Sequence, residues 1–443
     1  MSTKTEPTSP NIRKRPLLGD HRLSEREQKN LDLLEMIRQR GLLTRTELSR
    51  GTGCNIVTVS NYVAEFIKQG LVVERGFDVS TGGRKPILVE LNASAGYAIG
   101  IDLGLMNYSR TSMSAVLTDL RGVVVHRVMK PRAAEGMDRV LASSDELIRQ
   151  LIRTAPVDPK KIRGAAIGVG GIVDVRAGTV RDTSNRGIRT SYLALQDRWE
   201  AEFKMPVLIG NDATLAGYGE YRLSLDRLIE NMAYFYSDVG ASLIFHSHIY
   251  WGSSGSAGEV GVTVQSNDDY LAWTRVPRFV SANSWDLGIV AQTKKMLEEG
   301  SAATAITELV HGNLDAITFD TVLQAAQAGD ALAKELIEDA GLQMGIRIAS
   351  MVNFLNPEVV VIGGGVERAG SLLLEPVWRA VLHTRAETCR AAASPVARRR
   401  PMRQAAARQT SWAASPRAAA WPSETGPVAP SPQVGATRSL PRR

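Results

Sequence analysis

Four apolar runs in this 443-residue sequence each lead into glycine or carboxylate residues. They are AIGIDLG from Ala98, AAIGVGG from Ala165, VLIGND from Val207 and VVVIGGG from Val359. Short apolar runs that stop at turn residues are typical of buried strands. Segments with helical spacing of apolar residues stand between them. Strands that alternate with helices in this way predict an α/β architecture.

The order of these segments predicts two lobes. From residue 94 the patterns read as three strands, a helix and then two further strand–helix pairs. A second strand–turn–strand begins near Met232, and a long helix leads to the strand at Val359. We therefore expect a first lobe over residues 94–215 and a second lobe over residues 216–389.

Residues 23–93 carry a separate pattern of three short helices and a hairpin. Ser24 with Glu27 predicts a capping box for the first helix. Thr44 and Asn55 are expected to begin the second and third helices. Two strand-like runs flank the glycine-bearing segment FDVSTGGR. This order is typical of a winged helix-turn-helix domain, whose third helix enters the major groove of DNA.

Seven side chains of this head are expected to contact DNA. Short polar groups bond to base edges or phosphates, and basic groups at the wing bond to phosphates or reach a minor groove. The set is Thr44, Asn55, Thr58, Ser60, Asn61, Arg84 and Lys85. The alternative is a small helical domain that mediates protein contacts.

The basic charge of the chain lies in its C-terminal tail. The formal net charge is +7, but residues 390–443 hold ten arginines and a single acid. The tail therefore carries +9 and residues 1–389 carry −2. A Pro-, Ala- and Arg-rich composition cannot bury a core, so we expect a disordered tail, and a disordered arm over residues 1–22. A reading-frame change near residue 390 and a native tail that attracts DNA are both open.

The remaining composition excludes several classes of protein. No apolar run approaches the roughly 20 residues of a membrane span. The polar N-terminus lacks the apolar segment of a signal peptide. Cys54 and Cys389, the two cysteines, cannot build a disulfide framework or a multi-cysteine zinc site. We expect a cytoplasmic protein with no membrane partner.

Motifs in both parts of the chain resemble the ROK family of repressors and sugar kinases. The segment GGRKP, Gly82 to Pro86, stands where the family's regulators have a GRxP element between wing and body. Over about residues 94–385 the resemblance rests on AIGIDLG, IGVGGIVDVRAGTV, GNDATLAGYGE, SAGEVG and MVNFLNPEVVVIGGGV, in that order. It implies a two-lobed actin/sugar-kinase-like (ribonuclease-H-like) ROK domain behind the winged head.

The resemblance also implies a sugar pocket. It would use Asn185 in TSNRG, Asn211 and Asp212 in GND, and Glu259 in AGEVG. In the family's kinases the residue that matches Asp212 takes the proton from the attacking sugar hydroxyl. The alternative role for Asn211 and Asp212 is to cap a helix that follows a strand, and the two roles can coexist.

Departures from the family pattern argue against kinase chemistry. Val262 replaces the family's histidine, and no cysteine or histidine follows in TVQSNDDYLAWTRVPRFV, so we expect no metal site. Leu105 and Met106 would crowd the first phosphate loop. Asp238 would repel phosphate at the second loop, because two unit charges ~4 Å apart at an effective dielectric of 20 cost about 4 kcal/mol. We expect no catalytic residue and no cofactor.

These inferences predict a sequence-specific DNA-binding regulator, a repressor of carbohydrate-related genes. It would bind a double-stranded DNA operator as a homodimer or homotetramer. Its degenerate kinase body would sense a sugar or sugar phosphate that favours one closure state of the lobes. Two alternatives stay open: an ATP-dependent sugar kinase of the same family with a DNA-binding head, and a DNA-binding protein whose body only oligomerises.

Overall fold

The computed structural model describes twelve stretches of the chain. They are residues 24–77, 86–103, 112–131, 137–170, 173–181, 192–224, 229–236, 240–253, 255–260, 285–300, 304–384 and 419–420. Helices and strands alternate through the body, which confirms the predicted α/β class. None of the helices within these stretches has the length and apolar character needed to cross a bilayer.

The N-terminal head consists of three helices and a three-stranded sheet. Its elements are α1 (Glu25–Arg40), β1 (Leu43–Thr44), α2 (Arg45–Thr52), α3 (Ile56–Lys68), β2 (Val72–Phe77) and β3 (Ile87–Leu91). The sheet order is β1-β3-β2, with both pairs antiparallel. Three helices followed by a hairpin is the arrangement that the sequence predicted.

Local sequence explains where each head helix begins. The Ser24 hydroxyl accepts a hydrogen bond from the Glu27 N–H, and the Glu27 carboxylate accepts from the Ser24 N–H, so the predicted capping box is confirmed. Thr44 forms a second capping box with Glu47. Apolar residues of all the helices and of the hairpin then fill one core: Leu33, Met36, Ile37, Leu48, Val59, Val63, Phe66, Val72 and Val89.

The first lobe is built on a five-stranded sheet. Its chain order is β4 (Tyr97–Asp102), β5 (Ser112–Asp119), β6 (Val124–Pro131), α4 (Met137–Thr154), β7 (Ile162–Val169), β8 (Val173–Asp174), β9 (Thr179–Arg181), β10 (Tyr192–Leu193), α5 (Leu195–Phe203) and β11 (Val207–Asn211). The sheet order is β11-β7-β4-β5-β6, in which β4, β7 and β11 run parallel, and β8, β9 and β10 form a small separate sheet. Fully buried Trp199 of α5 joins the helices, since its indole N–H donates to Asp145 of α4 at 2.9 Å.

The second lobe is built on another five-stranded sheet, reached through α6 (Asp212–Leu223). It contains β12 (Met232–Tyr236), β13 (Gly240–Phe245), β14 (His248–Ile249), α7 (Trp285–Glu298), α8 (Ala305–Leu309), α9 (Phe319–Gln327), α10 (Ala331–Leu355), β15 (Val359–Gly363), α11 (Ser371–Thr384) and β16 (Ala419–Ala420). The order is β14-β13-β12-β15-β16, with β12 and β15 parallel.

Two glycines let the longest helices of the second lobe pack closely. A Cβ added at Gly341 of α10 would lie 2.8 Å from the Pro376 ring of α11, and one at Gly345 would lie 2.5 Å from the Val377 carbonyl. Such separations are shorter than van der Waals contact. Small residues are therefore required along this seam, which forms one side of the lobe's main apolar core.

Helix α6 crosses the predicted boundary between the lobes. The sequence placed that boundary between residues 215 and 216, which lie inside α6. The helix packs against the second lobe, where a Cβ added at Gly217 would lie 2.3 Å from the Ser242 Cβ. The predicted arm 1–22 lies outside the described residues. So does most of the predicted tail, except Ala419–Ala420, which pair antiparallel with β15.

Candidate functional site

The carboxyl ends of three parallel strands define one edge of the first lobe's sheet. Asp102 of β4 stands in register with Gly168 of β7, and Asn211 of β11 stands in register with Val169. Buried Asp102 and the first turn of α6 lie at this edge. The start of α6 packs directly beside Gly168, since a Cβ there would lie at van der Waals distance, 3.5 Å, from the Asp212 Cα. Ligands of open α/β sheets bind beside such strand ends.

Asn211 and Asp212 begin α6. The Asn211 Oδ1 accepts a hydrogen bond from the Thr214 N–H at 3.1 Å, and the Asp212 Oδ1 accepts from the Ala213 N–H at 2.9 Å. The structure thus confirms the capping role that the sequence left open for this pair. The dipole of the helix also stabilises a negative charge in its first turn. Both side chains stay partly exposed, so a ligand at the edge can still reach them.

Glu259 stands opposite this helix start. Its pKa is raised above its ordinary value, first by partial removal from water and second by the negative charge of Asp212. The two carboxylates therefore lie near enough for the charge of Asp212 to act on Glu259. Glu259 is exposed, so a ligand can reach its carboxylate. Asn185, the fourth predicted sugar ligand, lies outside the described residues.

Gly258 fixes the position of this glutamate. A Cβ at Gly258 would lie 2.0 Å from the Ala241 carbonyl oxygen, and the residue has a φ of +96°. The Ala241 N–H donates to the Gly258 carbonyl at 2.7 Å. Because only glycine tolerates both the contact and the backbone angle, the segment before Glu259 is held tightly against β13.

In the glycine turn after β15, a backbone N–H is bonded to a carboxylate of the same turn. The N–H of Gly365 donates to the Glu367 Oε2 at 2.7 Å, and Glu367 is buried. This backbone N–H is therefore bonded to a carboxylate within the protein. The predicted obstacles Leu105, Met106 and Asp238, and the substituted Val262, lie outside the described residues. Among the residues that are described, no cluster of His, Cys, Asp and Glu could hold a metal ion.

The predicted DNA contacts divide into three groups. Asn55 caps α3 through the Thr58 N–H at 2.8 Å, and Asn61 is exposed on the same helix, whereas Thr58 and Ser60 are half-buried. The prediction for Thr44 is corrected. Thr44 is buried, and its hydroxyl bonds to the side chain and the backbone N–H of Glu47. It therefore caps α2 and does not lie on the DNA surface. Arg84 and Lys85 lie outside the described residues.

Two apolar residues escaped the sequence analysis. Ile56 is 45 % exposed and Val57 is 66 % exposed at the first two positions of α3. The signal was present in the sequence, because the inner face of the helix was already filled by Val59, Val63 and Phe66. Apolar residues off that stripe must point outward.

The sequence also gave no indication of the contacts between the head and the body. The Glu35 carboxylate of α1 is buried and pairs with Arg38 at 2.7 Å and with Arg222 of α6 at 3.3 Å. Arg38 in turn donates to the Arg222 carbonyl at 2.6 Å and to the Arg121 carbonyl at 3.3 Å. We call Glu35, Arg38 and Arg222 the hinge cluster. It joins the first head helix to the last turn of α6.

A family model described as "ROK family" matches residues 98–408, which is more than half of the chain. The chain belongs to the ROK family. The match covers both lobes, and it extends past residue 385, where the sequence resemblance was expected to end.

Repressors stand among the relatives of this ROK protein. The xylose repressor of Caldicellulosiruptor bescii is 31 % identical over 371 residues, which cover 83 % of this chain and 90 % of the relative. The DNA-binding transcriptional dual regulator NagC of Escherichia coli is 24 % identical over 359 residues, covering 79 % and 83 %. These relatives confirm the predicted functional class, a transcriptional regulator of carbohydrate-related genes.

Solved structures support the fold of this ROK protein. A ROK family transcriptional regulator, described as a homolog of the E. coli MLC protein, matches with a TM-score of 0.63 and 20 % identity over 82 % of this chain and 90 % of its own. A ROK family glucokinase from Streptomyces griseus, in complex with glucose and AMPPNP, matches with a TM-score of 0.53 and 21 % identity over 64 % and 88 %. The fold is therefore common to regulators and kinases, and it does not by itself decide between them.

Proposed function

We propose that this ROK-family chain is a sugar-responsive repressor without kinase activity. Its head binds a DNA operator, a monosaccharide binds beside Asn211, Asp212 and Glu259, and α6 couples the two events. Two copies of the chain read a two-fold operator. Regulators and kinases of the family have the same fold, so the proposal distinguishes this chain from a kinase by the side chains at the site.

The observation that carries this proposal is the placement of the two ends of α6. Its first turn presents Asn211 and Asp212 at the candidate sugar site. Its last turn contributes Arg222 to the hinge cluster. The helix has 12 residues, so the ends lie roughly 18 Å apart at 1.5 Å per residue. A rigid helix transmits a small tilt at one end to the other end.

The packing around the hinge cluster suits it to such a signal. Leu223 follows Arg222 and closes on Gly122, where an added Cβ would lie 2.7 Å from a Leu223 methyl. Arg222 also lies over the Tyr218 ring, 5.9 Å from its centroid, and burial raises the pKa of that phenol. The side chains around Arg222 leave little free space. Because an unpaired buried charge is costly, the charged groups of the hinge cluster can adopt only a few bonded arrangements. A ligand that prefers one arrangement shifts the head by its differential affinity.

The charges at the site favour an uncharged sugar. Asp212 and Glu259 both bring carboxylates to the strand edge, and carboxylates accept hydrogen bonds from hydroxyls but repel phosphate. The Glu367 carboxylate at the Gly365 N–H adds a further negative charge where a kinase would need room for phosphate. Xylose, which gives the Caldicellulosiruptor bescii relative its name, is therefore a better first candidate than a sugar phosphate.

Binding measurements on one coupling variant test the proposal. A thermal-shift panel of D-xylose, N-acetylglucosamine, glucose and their phosphates identifies a stabilising sugar. Binding to DNA selected by the protein is then measured with and without that sugar. Arg222→Met should retain sugar binding and DNA binding while the effect of sugar on DNA affinity falls from about tenfold to less than twofold.

The matched control is Arg379→Met, which removes an arginine from the exposed Arg379–Glu338 pair of the second lobe. It should keep the full response to sugar. An unaltered response in Arg222→Met would contradict coupling through α6. ATP turnover with any of these sugars would instead support the kinase, and a panel without any stabilising sugar would support a body that only oligomerises.

A further inference from the structure

The outer face of α3 has an unusual composition for an exposed helix. Val57, Asn61 and Ala64 are all exposed and follow a spacing of four and three residues, so they lie on one face. Ile56 lies beside Val57 at the start of the helix. The opposite face, with Val59, Val63 and Phe66, fills the core of the head. Exposed Lys68 continues this spacing and exposed Glu65 lies beside it, so the apolar part of the outer face is confined to the start of the helix.

The helix does not require these apolar residues for its own stability. Asn55 already supplies the cap, and β-branched residues are weaker helix formers than alanine or glutamate. Exposed single apolar residues are common on protein surfaces. Ile56 and Val57, however, are adjacent and lie at the exposed start of the helix that is predicted to enter the major groove. Their position favours contact with an apolar group of a partner.

The charges near the N-terminal end of α3 limit which partners can bind there. Residues 48–64 contain one basic residue, Arg50, and no acidic residue. The first turns of α1 and α2 carry glutamates, whereas the first turn of α3 carries no acid. The first turn of α3 therefore presents no negative charge to a polyanion, which would meet the positive end of the helix dipole there.

We propose that α3 reads A·T pairs, with Val57 against the C5-methyl group of thymine and Asn61 bonded to adenine. The inference rests on the proposed DNA-binding function and adds its base preference. The thymine methyl is the one apolar group that a base pair presents in the major groove, and an asparagine side chain matches the N6 and N7 atoms of adenine. The face of α3 offers both kinds of partner in adjacent turns.

Replacement of thymine by uracil tests this directly. DNA that the full chain retains from a random library is sequenced, and each thymine of the bound site is changed to uracil in turn. Loss of one contacted methyl should weaken binding about fourfold, and loss in both half-sites about 15-fold, because a buried methylene contributes roughly a factor of four. Thymines outside the bound site should have no effect.

Val57→Ala links the methyl to the residue. Since Val57 is exposed, the variant should fold as the parent does, and it should bind thymine and uracil sites with equal affinity. Ile346→Ala removes a comparably exposed apolar residue from α10 and should keep the preference for thymine. A thymine preference that survives in Val57→Ala, or DNA binding with no sensitivity to uracil at any position, would overturn the inference. Failure to retain any DNA would instead overturn the proposed function.

Discussion

The starts of α3 and α6 are built with the same chemistry and face opposite electrostatic surroundings. Asn55 caps α3 through the Thr58 N–H at 2.8 Å, and Asn211 caps α6 through the Thr214 N–H at 3.1 Å. Asn-x-x-Thr is thus used twice. The residue that follows the cap is Ile56 in the head and Asp212 in the body.

This difference separates the role of a cap from that of a ligand site. The asparagine determines where each helix begins, because its oxygen satisfies a backbone N–H that lacks a partner within the helix. The next residues determine what can approach. In the proposed function, the neutral apolar turn of α3 faces a DNA groove, whereas the acidic turn of α6 with Glu259 would accept hydroxyl groups and repel phosphate.

The largest expected effect comes from making the head resemble the body. Val57→Asp places a carboxylate in the first turn of α3, as Asp212 does in α6, at the position that is proposed to face the DNA groove. We expect DNA affinity at low salt to fall roughly 100-fold, because like charges repel strongly at a partly desolvated interface. Titration of labelled operator DNA measures the change.

Thermal unfolding distinguishes this effect from loss of fold. An acid at a helix start stabilises the helix by about 0.3–1 kcal/mol, so the melting temperature of Val57→Asp should stay level or rise. DNA affinity and stability should therefore move in opposite directions. A variant with lower stability and lower DNA affinity would contradict the assignment of this turn to DNA.

The converse change removes the charge from the body. Asp212→Asn should weaken binding of the stabilising sugar about 10- to 100-fold, since a hydrogen bond to a charged group contributes roughly 1.5–3 kcal/mol. Affinity for DNA in the absence of sugar should equal that of the parent. Isothermal titration with the sugar tests the first expectation, and undiminished sugar affinity would remove Asp212 from the site.

The shared cap chemistry predicts equal costs at the two helices. Asn55→Ala and Asn211→Ala should each lower the free energy of unfolding by about 1 kcal/mol, because each leaves one backbone N–H without its partner. Chemical denaturation of both variants measures this. Costs that differ by several kcal/mol would show that one asparagine has a second structural role that the cap does not explain.

The smallest expected effect is a dependence of sugar binding on pH. The ionised form of Glu259 accepts hydroxyl hydrogen bonds, and its pKa is raised, so protonation begins at a higher pH than for an ordinary glutamate. Sugar affinity should therefore decline as the pH falls from 7.5 toward 5. Titrations of the parent and of Glu259→Gln across this range should give a sloping and a flat profile, and parallel profiles would contradict the assignment.

Local signals in the sequence predicted most of the fold. Ser24, Thr44 and Asn55 begin helices where their capping chemistry predicted, and the four apolar runs form parallel strands of the two sheets. Each of these features depends on residues close together in the chain. The family motifs extended the prediction to both lobes, because they occur in a fixed order.

Features that depend on distant contacts were not predictable in this way. The hinge cluster joins residues 184 positions apart, and no local pattern marks Glu35 as buried. Thr44 was assigned to DNA because its side chain is polar, but its neighbour Glu47 uses that polarity internally. The predicted lobe boundary, between residues 215 and 216, falls inside α6, whose packing against β13 depends on contacts between residues distant in the chain.

The hinge cluster also limits how this protein can diversify. An exchange of its head for that of a relative would separate Glu35 and Arg38 from Arg222, with which they pair in this protein. Such a chimera would bind the promoter that its new head recognises, but the proposed effect of sugar on its DNA affinity would be lost. New pairings of promoter and inducer would require joint change of the head and of one helical turn in the body, so inheritance of the two halves is linked.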